Sequence, residues 1–244
     1  MKPTIGISAM DAALQAAGNF VIETEAVRLD ELLRRRGAPP GRPAVIAARV
    51  GAGEPADVCA MRWMHAGGRE PLVFCPADFG AAIDLGAAAG VMARHLSAPV
   101  YLLLDHETAE TEGDWRAFAE FRPLARPELT ALDADPSGPR AEWLVVSYGS
   151  TQAPAAAATQ RARAAGLRVY HLALQTLWPA PEEAILKAAT GVKHCVVAER
   201  NLGQYVNELR RILPMATVTG AGTSGAPVPA ALILERLQTT PRCC

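Results

Sequence analysis

The chain has 244 residues, of which half are apolar and a fifth are charged, and this is the balance of a soluble globular protein of one large or two medium domains. Its formal net charge is −1 and aromatic residues make up only 5%, so neither a nucleic-acid surface nor a stacking platform for single strands is expected. The N-terminus lacks the pattern of a secretory signal, and no apolar run approaches the ~20 residues of a membrane span, which predicts a cytoplasmic protein.

The first half of the chain predicts a parallel α/β unit. Strands are predicted at 43–50, 72–75 and 100–104, because each is a short apolar run bounded by turn signals. Residues 79–95 are rich in alanine and have apolar positions three and four apart, so they predict a helix packed on the sheet. Strands that are apolar throughout and alternate with helices indicate a parallel sheet covered on both faces.

The second half repeats this α/β rhythm more regularly, after a proline-rich stretch that predicts a connector. The predicted domains are 1–110 and 141–244, with a linker at 111–140. Strands and helices alternate within the second domain: strands at 143–147, 168–172, 194–198 and 216–219, and helices at 153–165, 181–189, 203–213 and 229–238. The predicted fold class is therefore α/β, with two open parallel-sheet domains.

Three segments carry polar groups at the ends of predicted strands. Gly149-Ser150-Thr151 has amides that suit an anion at a helix N-terminus, although an ordinary turn with a hydroxyl N-cap explains it better. The segment from Gly220 to Gly225 also suits a phosphate, but a flexible loop is the simpler interpretation. Glu199-Arg-Asn-Leu-Gly-Gln204 offers a carboxylate, a guanidinium and two amides, one of which is that of Asn201. An interface with another subunit and a contact with a ligand are equally favoured for this segment.

No metal site or nucleophilic pair is predicted. The five cysteines include no C-x-x-C pair, the five histidines are scattered, and Ser147 and Ser150 lack a nucleophile elbow. The terminal Cys243-Cys244 pair is either a reactive pair of thiols or a frayed tail, and the usual behaviour of chain termini favours the frayed tail. Glu23 and Glu25 precede an amphipathic stretch at 26–36, and on composition alone they are first-turn charges of a helix.

Three motifs in register make the second half resemble the C-terminal domain of the alpha subunit of 2-oxoacid (2-oxoglutarate-type):ferredoxin oxidoreductases, which is a transketolase C-terminal-like domain. They are V-V-S-Y-G-S at 145–150, Q-T-L-W-P-A-P-E-E-A-I at 175–185 and V-V-A-E-R-N-L-G-Q at 196–204. The resemblance places Tyr148, Trp178 and Asn201 on the carboxyl rim of one sheet.

The first half resembles a shortened form of the same subunit's pyrimidine-binding domain. P-L-V-F-C-P at 71–76 and S-A-P-V-Y-L-L-L-D at 97–105 match that family's pattern, whereas its "YPITP" and "TSGPG" segments are absent from the chain. By this resemblance Glu25 is the catalytic and cofactor-binding glutamate that hydrogen-bonds the aminopyrimidine of thiamin diphosphate.

The resemblance implies a subunit that is not a complete enzyme by itself. It implies oxidative decarboxylation of a 2-oxoacid to acyl-coenzyme A, or the reverse, with a beta subunit that holds magnesium and an iron–sulfur cluster, and with ferredoxin and coenzyme A as further partners. Two alternatives stay open: a non-catalytic assembly module of the same ancestry, and an unrelated small α/β transferase.

Overall fold

The computed structural model describes residues 21–25, 44–51, 53–55, 58–63, 70–109, 129–134 and 140–239. The strands in these ranges are β1 Val21–Glu25, β2 Ala44–Arg49, β3 Leu72–Phe74, β4 Pro99–Leu104, β5 Thr130–Asp133, β6 Trp143–Tyr148, β7 Val169–Leu174, β8 Thr176–Trp178, β9 His194–Glu199 and β10 Thr217–Gly222. The helices in the same ranges are α1 Val58–Trp63, α2 Phe79–Leu96, α3 His106–Ala109, α4 Gln152–Ala164, α5 Glu182–Ala188, α6 Gln204–Ile212 and α7 Ala230–Thr239.

The first sheet has the strand order β1-β2-β4-β3-β8 and is parallel except for β8. Its central strand β4 is buried along its whole length, which explains why its sequence is apolar at every position. Helix α2 packs on this sheet and begins at Asp78, whose side chain accepts a hydrogen bond from the Ala81 N–H at 2.9 Å. Small residues on its buried face let the helix approach the strands closely.

The second sheet has the order β10-β9-β6-β7-β5, with β5 antiparallel to the others. Strands β6 and β9 lie at its centre and are completely buried. Helix α4 ends just before Gly166, which has the positive φ of 86° that suits a residue following a helix.

The two halves of the chain share one sheet and one core. Strand β8 comes from the second half but pairs with β3 of the first sheet, where Val73 is opposite Trp178. One cluster of buried apolar side chains includes Ile46 and Leu103 from the first sheet and Val146 from the second. The carboxyl ends of β4 and β6 meet where Asp105, which follows β4, accepts a hydrogen bond from the Ser150 N–H, which follows β6.

The α/β class with two mainly parallel sheets is confirmed, and every strand and helix predicted within the described residues is present within one to three residues. Inside the described residues no helix has the length and apolar character needed to cross a bilayer.

Several local expectations differ from the structure. Thr130–Asp133, inside the predicted linker, is an edge strand whose mostly exposed side chains leave no apolar pattern to detect. Glu23 and Glu25 lie in strand β1, and not in a first helical turn. Gly220 and Gly222 belong to strand β10, so the expected flexible loop begins only after them. Helix 26–36 and the Cys243-Cys244 tail lie outside the described residues.

Candidate functional site

The backbone of Glu25 lies at the carboxyl edge of the first sheet. It is the last residue of β1 and is in register with Arg49, which in turn is in register with Leu104 at the end of β4. Asp105 follows Leu104 directly. Ligands of open parallel sheets bind at this edge, so the position of Glu25 in the fold is one where a functional carboxylate is expected.

Asp105 connects this edge to the second sheet. One oxygen of its carboxyl group accepts a hydrogen bond from the Ser150 N–H at 2.6 Å, although only 4% of the residue is exposed. Gly149 makes this approach possible, because a Cβ at that position would overlap the Asp105 carboxylate and touch the Cys75 sulfur. The φ of 56° at Gly149 is also one that glycine adopts without strain.

A buried arginine closes the same junction. Arg200 is 2% exposed, forms an ion pair with Glu107 and donates a hydrogen bond from Nη2 to the Gly225 carbonyl at 2.5 Å. Its Nε and the Thr108 hydroxyl are buried without a hydrogen-bond partner among the described residues. We call the set formed by Cys75, Asp105, Glu107, Gly149, Ser150, Arg200 and Gly225 the rim junction.

Burial governs the electrostatics of the rim junction. Loss of hydration raises the pKa of Asp105, and the Ser150 hydrogen bond and the positive charge of Arg200 oppose this shift. Burial raises the pKa of Cys75 well above its usual value, and the nearby Asp105 carboxyl adds to the effect. Cys75 is therefore a neutral thiol at physiological pH, and it lacks the thiolate character of a reactive cysteine.

Two motifs of the second half meet at one carboxyl group. Glu199 is fully buried and accepts hydrogen bonds from the Tyr148 hydroxyl at 3.0 Å and the Tyr205 N–H at 2.9 Å. Asn201 donates to the Tyr148 hydroxyl at 3.0 Å and accepts from the Gln204 N–H at 2.8 Å. Glu199 and Asn201 thus satisfy the free amides at the start of α6.

Trp178 extends this group of contacts to the first half of the chain. Its Nε1 donates to the Val58 carbonyl at 2.8 Å, its ring lies 5.5 Å from that of Tyr205, and the guanidinium of Arg62 lies 4.5 Å above its ring. The Gln204 side-chain oxygen accepts from the Cys59 N–H at 3.1 Å. We call Tyr148, Trp178, Glu199, Asn201, Gln204 and Tyr205 the signature cluster.

The structure brings the three motif residues together, but not on one sheet. Tyr148 and Asn201 follow the expected pattern at the carboxyl ends of β6 and β9, whereas Trp178 belongs to β8 in the first sheet. The sequence could not reveal this, because β8 has only three residues and joins a sheet built from distant parts of the chain. The side chains of all three residues are buried and contact other residues of this chain.

The turn at 149–151 is occupied by internal contacts as well. It is a 3₁₀ turn in which the Ser150 N–H is bound by Asp105, as described above. The Thr151 hydroxyl accepts from the Tyr148 N–H at 3.2 Å and lies 2.9 Å from the Ala198 carbonyl. These contacts are those of a local turn, but the expected hydroxyl N-cap is wrong, because Thr151 precedes α4 and its side chain makes no capping hydrogen bond to that helix.

Sequence reasoning missed Asp105, although it directly follows an apolar strand, and it noted Arg200 only as the guanidinium of the 199–204 segment. It also missed a buried hydrogen bond of 2.7 Å between Ser147 Oγ and His171 Nε2 on neighbouring strands. Burial lowers the pKa of His171 to about 4. Both residues are enclosed within the sheet, so this pair lacks the access to substrate that a nucleophile and its base require.

Among the residues for which the structure gives positions, no group of three His, Cys, Asp or Glu side chains is arranged to hold a metal ion.

Residues 141–225 of the second half match the family described as pyruvate:ferredoxin oxidoreductase core domain II. This match confirms the resemblance carried by the three motifs.

The similar curated proteins are 2-oxoglutarate synthase subunits KorA. The chain is 38% identical over 72 residues to the one from Methanothermobacter marburgensis, and 38% identical over 68 residues to the one from Methanothermobacter thermautotrophicus. These matches cover 30% and 28% of this chain and only 19% and 18% of the relatives, so the chain matches about a fifth of their length.

Two solved structures share the fold over almost the whole chain. The 2-oxoglutarate:ferredoxin oxidoreductase from Magnetococcus marinus, solved with 2-oxoglutarate, coenzyme A and succinyl-coenzyme A, aligns with a TM-score of 0.74 at 16% identity, over 98% of this chain and 56% of that one. A split-gene transketolase, an inactive beta4 tetramer, aligns with a TM-score of 0.65 at 20% identity, over 97% of this chain and 80% of that one. At these identities the likeness describes the fold.

Proposed function

We propose that this chain is an alpha-type subunit of a thiamin-diphosphate-dependent 2-oxoacid:ferredoxin oxidoreductase, and that it acts with a beta subunit. The reaction is oxidative decarboxylation of a 2-oxoacid to acyl-coenzyme A, with ferredoxin as the electron acceptor, or the reverse carboxylation. The observation that carries this proposal is the domain match at 141–225 together with a fold likeness that continues through the first half.

The position of Glu25 in the fold is compatible with thiamin diphosphate. A carboxylate at the carboxyl edge of a parallel sheet is suitably located to accept a hydrogen bond from an aminopyrimidine ring. When bound, thiamin diphosphate supplies the carbanion stabilisation that decarboxylation needs. In this proposal Glu25 holds the proton on the pyrimidine side, and the beta subunit holds the diphosphate, its magnesium and the iron–sulfur cluster.

The rim junction would help to fix the position of Glu25 relative to the second domain. Asp105, Ser150 and Arg200 join the carboxyl edges of the two sheets through buried contacts, which exclude water from the contact between them. A rigid junction of this kind would keep the edge that carries Glu25 in a constant relation to the second domain.

The second candidate is a non-catalytic assembly module of the same ancestry. It is favoured by the absence of the "YPITP" and "TSGPG" segments from the sequence, and by the internal contacts of the signature cluster. In this alternative the interface residues Gly149, Ser150, Thr151, Trp178, Glu199, Asn201 and Gln204 shape the domain that a partner binds.

Co-expression with a beta-type subunit distinguishes the two candidates. We expect the purified complex to contain thiamin diphosphate and to reduce a viologen dye only when a 2-oxoacid and coenzyme A are present. Glu25→Gln should lower kcat by about 10²-fold or more, as loss of a proton-handling group does, whereas Glu23→Gln should leave it unchanged. A complex that assembles but lacks both cofactor and turnover would support the module, and equal activity of both variants would exclude Glu25.

A further inference from the structure

A cleft of about 370 Å³ lies along the open edge of the second sheet. It is bounded by the β9–α6 loop, one face of α6, strand β10 and helix α7. Its lining residues are Leu202, Gly203, Val206, Asn207, Arg210, Gly220, Gly222 and Arg236. Strand β10 is the last strand of that sheet and pairs only with β9 in the described part of the chain.

Alternate residues of β10 direct their backbone groups away from β9. The Thr217 N–H donates to the Lys193 carbonyl at 2.9 Å and the Thr223 N–H to the Glu199 carbonyl at 3.4 Å, so the odd-numbered residues face β9. In a parallel ladder the residues between them face the opposite way. Gly220 and Gly222 therefore present their N–H and C=O groups to the cleft.

A contact of Arg210 supports this orientation. Its Nη2 donates to the carbonyl of Val218 at 3.3 Å, and Val218 is the third residue of the same outward-facing set. Gly220 and Gly222 are both partly exposed and line the cleft. The Val218 carbonyl is already bound by Arg210, so Gly220 and Gly222 form the part of the edge that is a template for another strand.

The charges and apolar groups of the cleft indicate what kind of strand fits. Two guanidinium groups, Arg210 and Arg236, are among the described residues that line it. Leu202 stands at its end with 80% of its surface exposed. An incoming strand with acidic side chains and an apolar residue would match all three features.

We propose that β10 is a docking edge for an extended acidic segment of a partner chain, which adds to the second sheet as a further strand. A second copy of this chain fits poorly, because pairing β10 with itself would bring Arg210 and Arg236 of one copy towards those of the other. The mode of recognition is strand addition, in which main-chain hydrogen bonds give affinity and side chains give specificity. The inference does not depend on the proposed oxidoreductase activity.

Three synthetic peptides test this on the full-length chain. The first alternates Glu with Val and Thr over seven residues, the second has Lys in place of Glu, and the third is the first with alternate backbone amides N-methylated. Affinity is measured by fluorescence anisotropy of the labelled peptides, and the position of binding by the amide NMR shifts of Gly220 and Gly222. We expect only the first peptide to bind and to shift both amides.

Charge variants complete the test. Arg210→Glu with Arg236→Glu should weaken binding of the first peptide by about ten-fold or more, because two attractive charges become repulsive. Arg161→Glu, on an exposed position of α4, should leave it unchanged. If the variant with both glutamates fails to fold, Arg210→Gln with Arg236→Gln replaces it and should also weaken binding of the first peptide. Equal binding of the N-methylated or lysine peptide, equal weakening by Arg161→Glu, or no shift at Gly220 and Gly222 with any peptide would overturn the proposal.

Discussion

At the scale of single residues, Gly149 shows how close the two sheets approach. Its φ of 56° and the absence of a side chain let Asp105 reach the Ser150 amide. We predict that Gly149→Ala lowers the free energy of unfolding by about 3 kcal/mol, since strain in the left-handed region adds to displacement of a buried carboxyl group. Chemical denaturation followed by circular dichroism measures this.

Gly166 provides the matched control for Gly149. It has a φ of 86°, but a Cβ added there would meet no atom within 4 Å. Gly166→Ala should therefore show only the strain of the left-handed backbone, about 1–2 kcal/mol. If both variants lost equal stability, the contact with Asp105 would have no part in the effect of Gly149→Ala.

His171 should make the stability of the protein depend on pH. Its pKa is about 4 in the folded chain, against an ordinary value near 6.5, so the unfolded chain binds the proton more readily between these values. The contribution of His171 to the free energy of unfolding is therefore fully present above pH 6.5 and is lost as the pH falls towards 4. We predict a loss of about 2 kcal/mol between pH 7 and pH 5, measured by chemical denaturation at the two pH values.

The comparison with His171→Gln isolates this contribution. Glutamine retains a polar partner for Ser147 but does not titrate in this range. Burial raises the pKa of Asp105 and of Glu199, so these groups act with the opposite sign and make stability fall as the pH rises above their ordinary values. Since they are present in both proteins, they cancel in the difference. An identical pH dependence of wild type and variant would contradict the prediction.

At the scale of elements, helix α6 begins where it does because of Glu199 and Asn201. Glycine precedes the helix at position 203 and offers no side-chain cap, so the amides of the first turn bond to these two residues from the end of β9. Basic residues in the last turn, Arg210 and Arg211, complement the helix dipole. The same arrangement attaches α6 to Tyr148 on the neighbouring strand.

Removal of the Glu199 carboxylate should therefore destabilise α6 specifically. We predict that Glu199→Ala lowers the free energy of unfolding by about 2–4 kcal/mol, because two amides and a buried tyrosine hydroxyl lose their acceptor. Hydrogen exchange measured by mass spectrometry should show faster exchange in α6 than in α4. Glu183→Ala, at an exposed position of α5, is the control, and a similar effect there would argue against the capping role.

At the scale of the whole molecule, the rim junction and strand β8 should make the two halves unfold together. Arg200 is buried between Glu107 and the Gly225 carbonyl, and one apolar cluster includes side chains from both sheets. We predict a single unfolding transition that is the same by tryptophan fluorescence and by circular dichroism. Two separate transitions in the wild-type chain would show that the halves are independent.

Arg200→Met should lower the midpoint of that transition and leave it single. Loss of the Arg200 guanidinium leaves the buried Gly225 carbonyl without its donor, which reduces stability by about 1–3 kcal/mol, whereas the partly exposed Glu107 carboxylate stays hydrated and the shared core remains. Lys193→Met, which removes a largely exposed ion pair with Glu142, should change stability by at most about 1 kcal/mol. A larger effect of Lys193→Met than of Arg200→Met would contradict this account of the junction.

The predictable part of the fold is the part whose residues are buried by neighbours in the same sheet. Strands such as β4 and β6 are apolar throughout, and Gly166 marks the end of a helix, so local patterns were sufficient for them. Strand β5 escaped prediction because its side chains are mostly exposed, and β8 because it is short. The motifs identified Tyr148, Trp178, Glu199 and Asn201 as a related group, and their roles remain proposals.

The sequence by itself determined the α/β class, the order of the main strands and helices, and the relationship of residues 141–225 to a known domain. Only the tertiary structure decided that Trp178 joins the first sheet, that Asp105 bonds to Ser150 and that Arg200 lies buried at the junction. The physical reason is distance along the chain. Periodic apolar patterns report burial by near neighbours, whereas a contact between residues 45 or more positions apart depends on how complete sheets pack.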